Sequence, residues 1–198
     1  MKVLSWNIQG IKKPQALQEL RLLKQNHKPD ILFIVETLVT DSHLLRVLPK
    51  LGFDYYDFIS PINRAGGIAV LWNSGTIHAS LLSKSNWAIH LLVHDTTNSM
   101  QSIISGIYAP TQQREKDSFW TLLNETHKLF DLPWCIIGDF NELANPSEKR
   151  RGICHPNTKY HRLNNFLTQN NAISVPVNGS IFTCKKRIHM HLIYERLD

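Results

Sequence analysis

A chain of 198 residues, 42% hydrophobic and 19% charged, has the makeup of a globular protein, and its length suits one domain better than two. Lys plus Arg number 22 against 16 Asp plus Glu, so a polyanion is a more natural partner than an acidic protein, although this charge alone does not imply nucleic acid. Cys135, Cys154 and Cys184 are odd in number and lack paired spacing, which argues against a disulfide framework and for a reducing compartment, so no disulfide-linked partner is expected.

In chain order, Lys2 to Asn7 reads as a strand. Met1-Lys2-Val3 enters it with no signal-type segment, and no apolar run approaches the ~20 residues that span a bilayer. The expectation is a soluble protein of the nucleus or cytoplasm with no membrane partner. Pro14 suits a first helical turn, ahead of Ala16, Leu17, Leu20 and Leu23 at helical spacing, with the helix ending near Asn26. Pro29-Asp30 then launches Ile31 to Val35, an unalternating apolar strand buried on both faces. Gly66-Gly67 marks the entry to the strand Ile68 to Trp72. Ala88 to Val93 and Ile103 to Tyr108 follow without long helices between, as in an antiparallel meander. Helical spacing returns from Arg114 to Phe130, and the sheet resumes at Trp134. Tyr160, Leu163, Phe166 and Leu167 suggest another helix. Ile181 to Cys184 and Leu192 to Leu197 read as two last strands joined by a basic turn, Lys185-Lys186-Arg187. There is no internal repeat or linker. Two sheets packed face to face and flanked by helices fit this order better than one parallel sheet.

Three of these strands end on polar groups: Asn7, Glu36, and Asp139 with Asn141 in the run Trp134-Cys135-Ile136-Ile137-Gly138-Asp139-Phe140-Asn141. Side chains two apart on an extended backbone point the same way, and open α/β sheets place ligands at the carboxyl ends of strands. These oxygen donors suit Mg²⁺, with Mn²⁺ able to substitute, rather than zinc. With such an ion the set could hydrolyse a phosphodiester: Asp139 positions or deprotonates water, and Asn7 or Asn141 fixes orientation. The bland alternative is that Asp139 and Asn141 only make a turn. Lys149-Arg150-Arg151 and Lys185-Lys186-Arg187 could contact DNA phosphates if the strand ends converge, or be solvated surface charge. Cys184, His189 and His191 lack the second ligand pair of a zinc site. Trp72, Trp87 and Trp120 are better explained as core than as stacking platforms.

Ser5-Trp6-Asn7, Glu36-Thr37, Ser105-Gly106-Ile107-Tyr108-Ala109-Pro110, Gly138-Asp139-Phe140-Asn141 and Arg196-Leu197-Asp198 occur in the order seen in the endonuclease/exonuclease/phosphatase superfamily. Within it the chain resembles the apurinic-like endonuclease domain that plant LINE-type, non-LTR retrotransposons carry ahead of their reverse transcriptase. Lys28 to Phe33 running into Glu36-Thr37, Gly66 to Trp72, Pro133-Trp134, Asn141-Glu142 leading to Glu148-Lys149-Arg150, and Leu192 to Asp198 carry that narrower likeness. The resemblance implies a DNase I-like four-layer α/β sandwich and Mg²⁺-dependent nicking of DNA, with the reverse transcriptase region of a longer polyprotein as a partner. It implies Glu36 as principal metal ligand with Asn7 beside it, Tyr108 on the scissile phosphate, Asp139 on water or the leaving oxygen, and Asn141 on the phosphate or nucleophile. Asp198 matches the aspartate that orients a catalytic histidine.

That histidine belongs to a closing Ser-Asp-His motif beyond Asp198. The expectation is one domain over 1–198, incomplete at its C-terminus, with its last core strand missing and catalysis weak or absent. None of the ten histidines offers a replacement, and Asp41-Ser42-His43 reads as a helix start or surface loop. Gln9 stands where repair-type members often have an acidic residue, and Cys184 where the family generally has tryptophan. A catalytically dead DNA-binding relic and a phosphatase of the same superfamily are the alternatives.

Overall fold

The computed structural model describes residues 1–62, 65–151, 160–188 and 191–197. They form two compact units, Met1–Tyr108 with Leu132–Asp139, and Ala109–Asp131 with Phe140–Asp198. The fold is the expected α/β type with two mixed sheets and helices.

In the first unit, β1 (Val3–Asn7) and β2 (Ile31–Val35) are parallel, and β4 (Ile68–Trp72) and β3 (Tyr55–Ile59) complete a sheet of order β1-β2-β4-β3. Pro14 opens α1 (Pro14–His27) at its first turn, and Lys28 closes it in the left-handed region (φ 47) with its N–H on Lys24 O. A helix α2 (Asp41–Val47) and a 3₁₀ turn, Leu48–Leu51, follow β2. Ala16 and Leu20, four apart on α1, pack with Leu44, Leu48, Leu32, Ile34, Ala69 and Leu71 on one face of the sheet. Ile31, Phe33, Val35, Ile68, Val70 and Trp72 line the other face. Both faces of β2 and β4 are therefore covered, which is why their sequences run apolar without alternation.

The second sheet has the order β5-β6-β7-β8, from β5 (Ile77–Ser85), β6 (Ala88–Asp95), β7 (Met100–Tyr108) and β8 (Trp134–Asp139). Strands β5 to β7 are the expected antiparallel meander, and β8 joins β7 in parallel. Ile77, Ile89, Leu91, Val93 and Ile104 pack against the first sheet. The expected meander does not include β4, which pairs with β2 and β3 instead.

On the opposite face of the second sheet, His90 is 2% exposed and shares a 2.7 Å hydrogen bond with Ser105 Oγ, which also accepts from Trp134 Nε1 at 2.7 Å. Burial lowers the His90 pKa from 6.5 to about 4. The unfolded chain therefore binds a proton that the folded chain refuses between these values, so stability is retained above about pH 6.5 and lost as pH falls toward 4. Urea unfolding should show about 2–3 kcal/mol less stability at pH 4.5 than at pH 7 from this group. His90→Gln should flatten the profile by that amount, and an unchanged slope in the variant would refute the assignment.

The second unit holds α3 (Gln113–Leu129), α4 (His161–Gln169) and a small sheet of order β10-β11-β9, from β9 (Lys149–Arg150), β10 (Cys184–Ile188) and β11 (His191–Glu195). Trp120 of α3 stacks on Phe140 at 6.3 Å and lies 5.2 Å from Phe166 of α4. Trp120 and Trp72 are buried as expected, whereas Trp87 is half-buried. Lys185-Lys186-Arg187 lies inside β10 rather than in a turn, and Ile181 to Thr183 lies outside any strand. The reason is that β10 is an edge strand, where cations are tolerated and discourage further pairing. Cys135 and Cys184 carry free thiols, and Cys154 lies outside the described residues.

Candidate active site

The first unit gathers four of the sequence-selected residues at one end of its two sheets. Asn7 ends β1 opposite Val35, and the ladder continues past the strands, from Ile8 N–H to Val35 O at 3.0 Å and from Gly10 N–H to Glu36 O at 2.9 Å. In the second sheet Tyr108 and Asp139 are register partners at the ends of β7 and β8. A side-chain bond ties the sheets together there: Asn7 Nδ2 donates to Asp139 Oδ2 at 2.9 Å. Asn7 Oδ1 accepts from Gln9 N–H at 3.2 Å, so both ends of the amide are oriented. Asp139 is 6% exposed, while Asn7, Glu36 and Tyr108 are half-buried.

The turns that carry these groups are strained. Gln9, Glu36 and Leu38 take left-handed conformations (φ 48, 61 and 55), each at a cost of about 1–3 kcal/mol for a residue with a side chain. The Glu36 turn is held by Thr37 N–H on Gly67 O and Leu38 N–H on Gly66 O, both at 3.2 Å. At Gly67 (φ 87) a Cβ would stand 2.3 Å from Thr37 Oγ1 and 3.1 Å from Pro61 Cδ, and at Gly66 it would stand 3.5 Å from the Tyr108 ring. The glycine pair therefore lies between the Glu36 turn and Tyr108, a role its reading as a mere strand entry missed. Gly67→Ala should cost roughly 2 kcal/mol through the left-handed backbone and the overlap with Thr37. A urea midpoint equal to that of the parent would show that the turn yields freely. Gly138 (φ 135) has a similar task, since a Cβ there would lie 2.1 Å from Ile107 O and would force β8 away from β7 just before Asp139.

Glu36, Asn7 Oδ1 and Asp139 offer oxygen donors only. Among the described residues no group of three or more His, Cys, Asp or Glu could hold a metal ion, so there is no zinc-type cage among them. A hard divalent ion that keeps most of its waters and takes one or two carboxylates would suit this donor set better than zinc.

Other selected residues belong to the second unit. Asn141 is left-handed (φ 46), its Nδ2 donates to Ala109 O at 2.8 Å, and its carbonyl accepts from Lys116 Nζ at 2.7 Å. Lys116 also pairs with Glu142 at 3.0 Å, with side chains 12% and 7% exposed, an interior ion pair that no sequence motif announced. Lys149 is not an open cation: its side chain is 11% exposed and meets Glu195 at 3.0 Å. Arg150, Arg151, Lys185 and Arg187 are exposed. The Lys186 side chain, His189 and Asp198 lie outside the described residues. In the first unit, His43 sits within α2 with Nδ1 2.9 Å from Arg46, and burial, then Arg46 and Lys12, hold its pKa below the usual histidine value. Its place is in a helix, as the sequence suggested.

Residues 4–181 match the endonuclease/exonuclease/phosphatase family. The chain belongs to that family. Among solved structures, this member of the endonuclease/exonuclease/phosphatase family is similar to the endonuclease domain of TRAS1, a telomere-specific non-LTR retrotransposon, with a TM-score of 0.70 and 13% identity over 99% of this chain and 82% of that one. It is also similar to the AP endonuclease LMAP from Leishmania major (TM-score 0.67, 15% identity, 86% of this chain and 66% of that one). A third similar structure is the 3′ phosphatase NExo from Neisseria bound to product DNA hairpin (TM-score 0.64, 17% identity, 98% and 86%). At these identities the likeness shows the fold. No curated protein matches the chain. No helix of the described residues is long and apolar enough to cross a membrane.

Proposed function

We propose that this chain carries the metal- and phosphate-binding site of a Mg²⁺-dependent DNA endonuclease, of the kind that nicks target DNA for a non-LTR retrotransposon. The observation that carries the reading is the Asn7–Asp139 hydrogen bond, at the sheet end where Glu36 and Tyr108 also lie. A divalent ion is a general requirement of the family. Glu36 and Asn7 Oδ1 would hold it, and when bound it would offset negative charge on the scissile phosphate.

Asp139 accepts a proton from the attacking water or returns one to the leaving oxygen. Asn7 holds the Asp139 carboxylate in one orientation through Oδ2, which fixes the direction of that proton transfer. Tyr108 donates its hydroxyl to a phosphate oxygen. By resemblance, Asn141 steadies the phosphate or the nucleophile and Asp198 orients a histidine. Cleavage would leave a 3′-hydroxyl that a reverse transcriptase region could extend, in the nucleus or cytoplasm. Arg150, Arg151, Lys185 and Arg187 are open to contact DNA phosphates, whereas Lys149 is engaged with Glu195. The exposed cations Arg150, Arg151, Lys185 and Arg187 favour DNA binding without turnover as a second reading.

The test is relaxation of supercoiled plasmid by the chain in Mg²⁺, in a chelator, and after Glu36→Ala. The expected result is nicking that disappears in the chelator and falls at least ~10²-fold in the variant. Salt-sensitive DNA binding by a folded chain that never nicks would establish the second reading. Phosphate release from a small phosphomonoester with no plasmid nicking would move the assignment to a phosphatase.

A further inference from the structure

Far from the candidate site, the second sheet presents a row of side chains that the proposed chemistry does not use. His78 of β5 is the direct cross-strand partner of His94 of β6, and His94 is in turn opposite Gln101 of β7. Alternation along the strands sends Ile77 and Val93 into the core, both 0% exposed, and so puts His78 and His94 on the other face. His78 is exposed and His94 half-buried. Their ring centroids are 6.4 Å apart with planes at 42°. The rings border an open cavity of about 240 Å³, lined further by Ala79, Ser80, Leu92 and Gln101.

We propose that His78 and His94 form a bidentate site for a divalent transition-metal ion of the imidazole-preferring class, Zn²⁺, Ni²⁺ or Cu²⁺. An ion bound by one nitrogen of each ring at about 2.0–2.1 Å brings the ring centroids to roughly 5–6 Å, so the observed spacing closes by small side-chain rotations. No carboxylate lines the cavity, which leaves Mg²⁺ and Ca²⁺ without an anchor, whereas neutral imidazole suits zinc, nickel and copper. His94 stands on an interior strand, flanked by β5 and β7, so little backbone freedom is lost when the ion binds. Gln101 supplies a side-chain carbonyl at the end of the same row, and the remaining coordination positions stay open to water or an outside ligand.

Nearby His90 is not a third ligand, because it is buried and bonded to Ser105. The site is also separate from the phosphodiester chemistry. Gln101 and Tyr108 are seven residues apart on β7, about 24 Å at strand rise.

The experiment is calorimetric titration of the full chain with Ni²⁺ at neutral pH in excess Mg²⁺, repeated for His78→Asn, His94→Asn and the double variant, each first checked for an unchanged circular dichroism spectrum. The expected result is one site in the parent that weakens at least tenfold in either single variant, as loss of a chelate partner requires, together with a Ni²⁺-induced rise in Tm that the double variant lacks. Gln101→His should tighten binding at least tenfold by adding an imidazole to the row, a gain that misfolding cannot imitate. Equal Ni²⁺ affinity in parent and double variant, a mere halving of stoichiometry in the single variants, or no gain from Gln101→His would overturn the site.

Discussion

Asp139→Ala is expected to lower Mg²⁺-dependent plasmid nicking by about 10²–10⁴-fold while the folded structure persists. The carboxylate is 6% exposed and accepts a hydrogen bond from Asn7, so its orientation is set before any substrate arrives. Preorganisation of this kind is what a proton acceptor contributes beyond its basicity. Asp139→Asn separates the two effects. An amide keeps the size and can still accept from Asn7, but it cannot take a proton, so its rate should fall nearly as far as that of the alanine variant. Asn7→Ala leaves the carboxylate in place with its orientation loosened, and a smaller loss of about 10–10²-fold is expected. Initial rates of supercoiled-to-open-circle conversion read all three. A loss under tenfold in both Asp139 variants would remove Asp139 from the proton-transfer role, and an Asn7→Ala loss equal to that of Asp139→Ala would mean that Asn7 contributes more than orientation.

How far the sequence discloses this arrangement depends on whether a residue's partner is local. β2 and β4 are plain in the sequence because both their faces are buried, and α1 and α3 because their apolar residues recur at helical spacing. β3 (Tyr55–Ile59) and β5 (Ile77–Ser85) escape notice since both are edge strands, and β5 carries Ser, His and Lys on its open positions. The same blindness turns Lys185 to Arg187 into a turn when it is an edge strand. The partner of β4 is equally hidden, because an apolar run shows that a strand is buried and says nothing about which strand lies beside it.

At the candidate site the strand-end residue types are legible and their connections are not. Asn7, Glu36 and Asp139 stand out because each ends an apolar run with an oxygen donor. The bond between Asn7 and Asp139 joins residues 132 apart and leaves no local signal. Likewise, Lys149 reads as one of three consecutive cations, and only the pairing of β9 with β11 places Glu195 opposite it. Open cations and cations held in ion pairs look identical in a sequence; burial and register separate them.

Gly106→Ala should be the most damaging single methyl in the first unit. A Cβ at Gly106 would fall 1.9 Å from Phe33 Cδ1, 2.4 Å from Cε1 and 2.4 Å from Cγ. The clash is therefore with the body of the ring and cannot be relieved by swinging a flexible chain end. Phe33 is 0% exposed and sits on β2, between β1 and β4 in the first sheet, while Gly106 sits on β7, between β6 and β8 in the second. Neither strand can yield without disturbing neighbours on both sides, so the sheets themselves would have to part. Overpacking of this severity lies at the upper end of the usual range, about 3 kcal/mol, which corresponds to a Tm lowered by roughly 6–12 °C. If ring overlap is the cause, Phe33→Leu should cost about 1 kcal/mol alone yet recover half or more of the loss when combined with Gly106→Ala. Thermal unfolding of the two single variants and the double closes the cycle. Strict additivity, or a Gly106→Ala variant as stable as the parent, would show that the two sheets are not in the close contact on which the placement of Tyr108 and Asp139 depends.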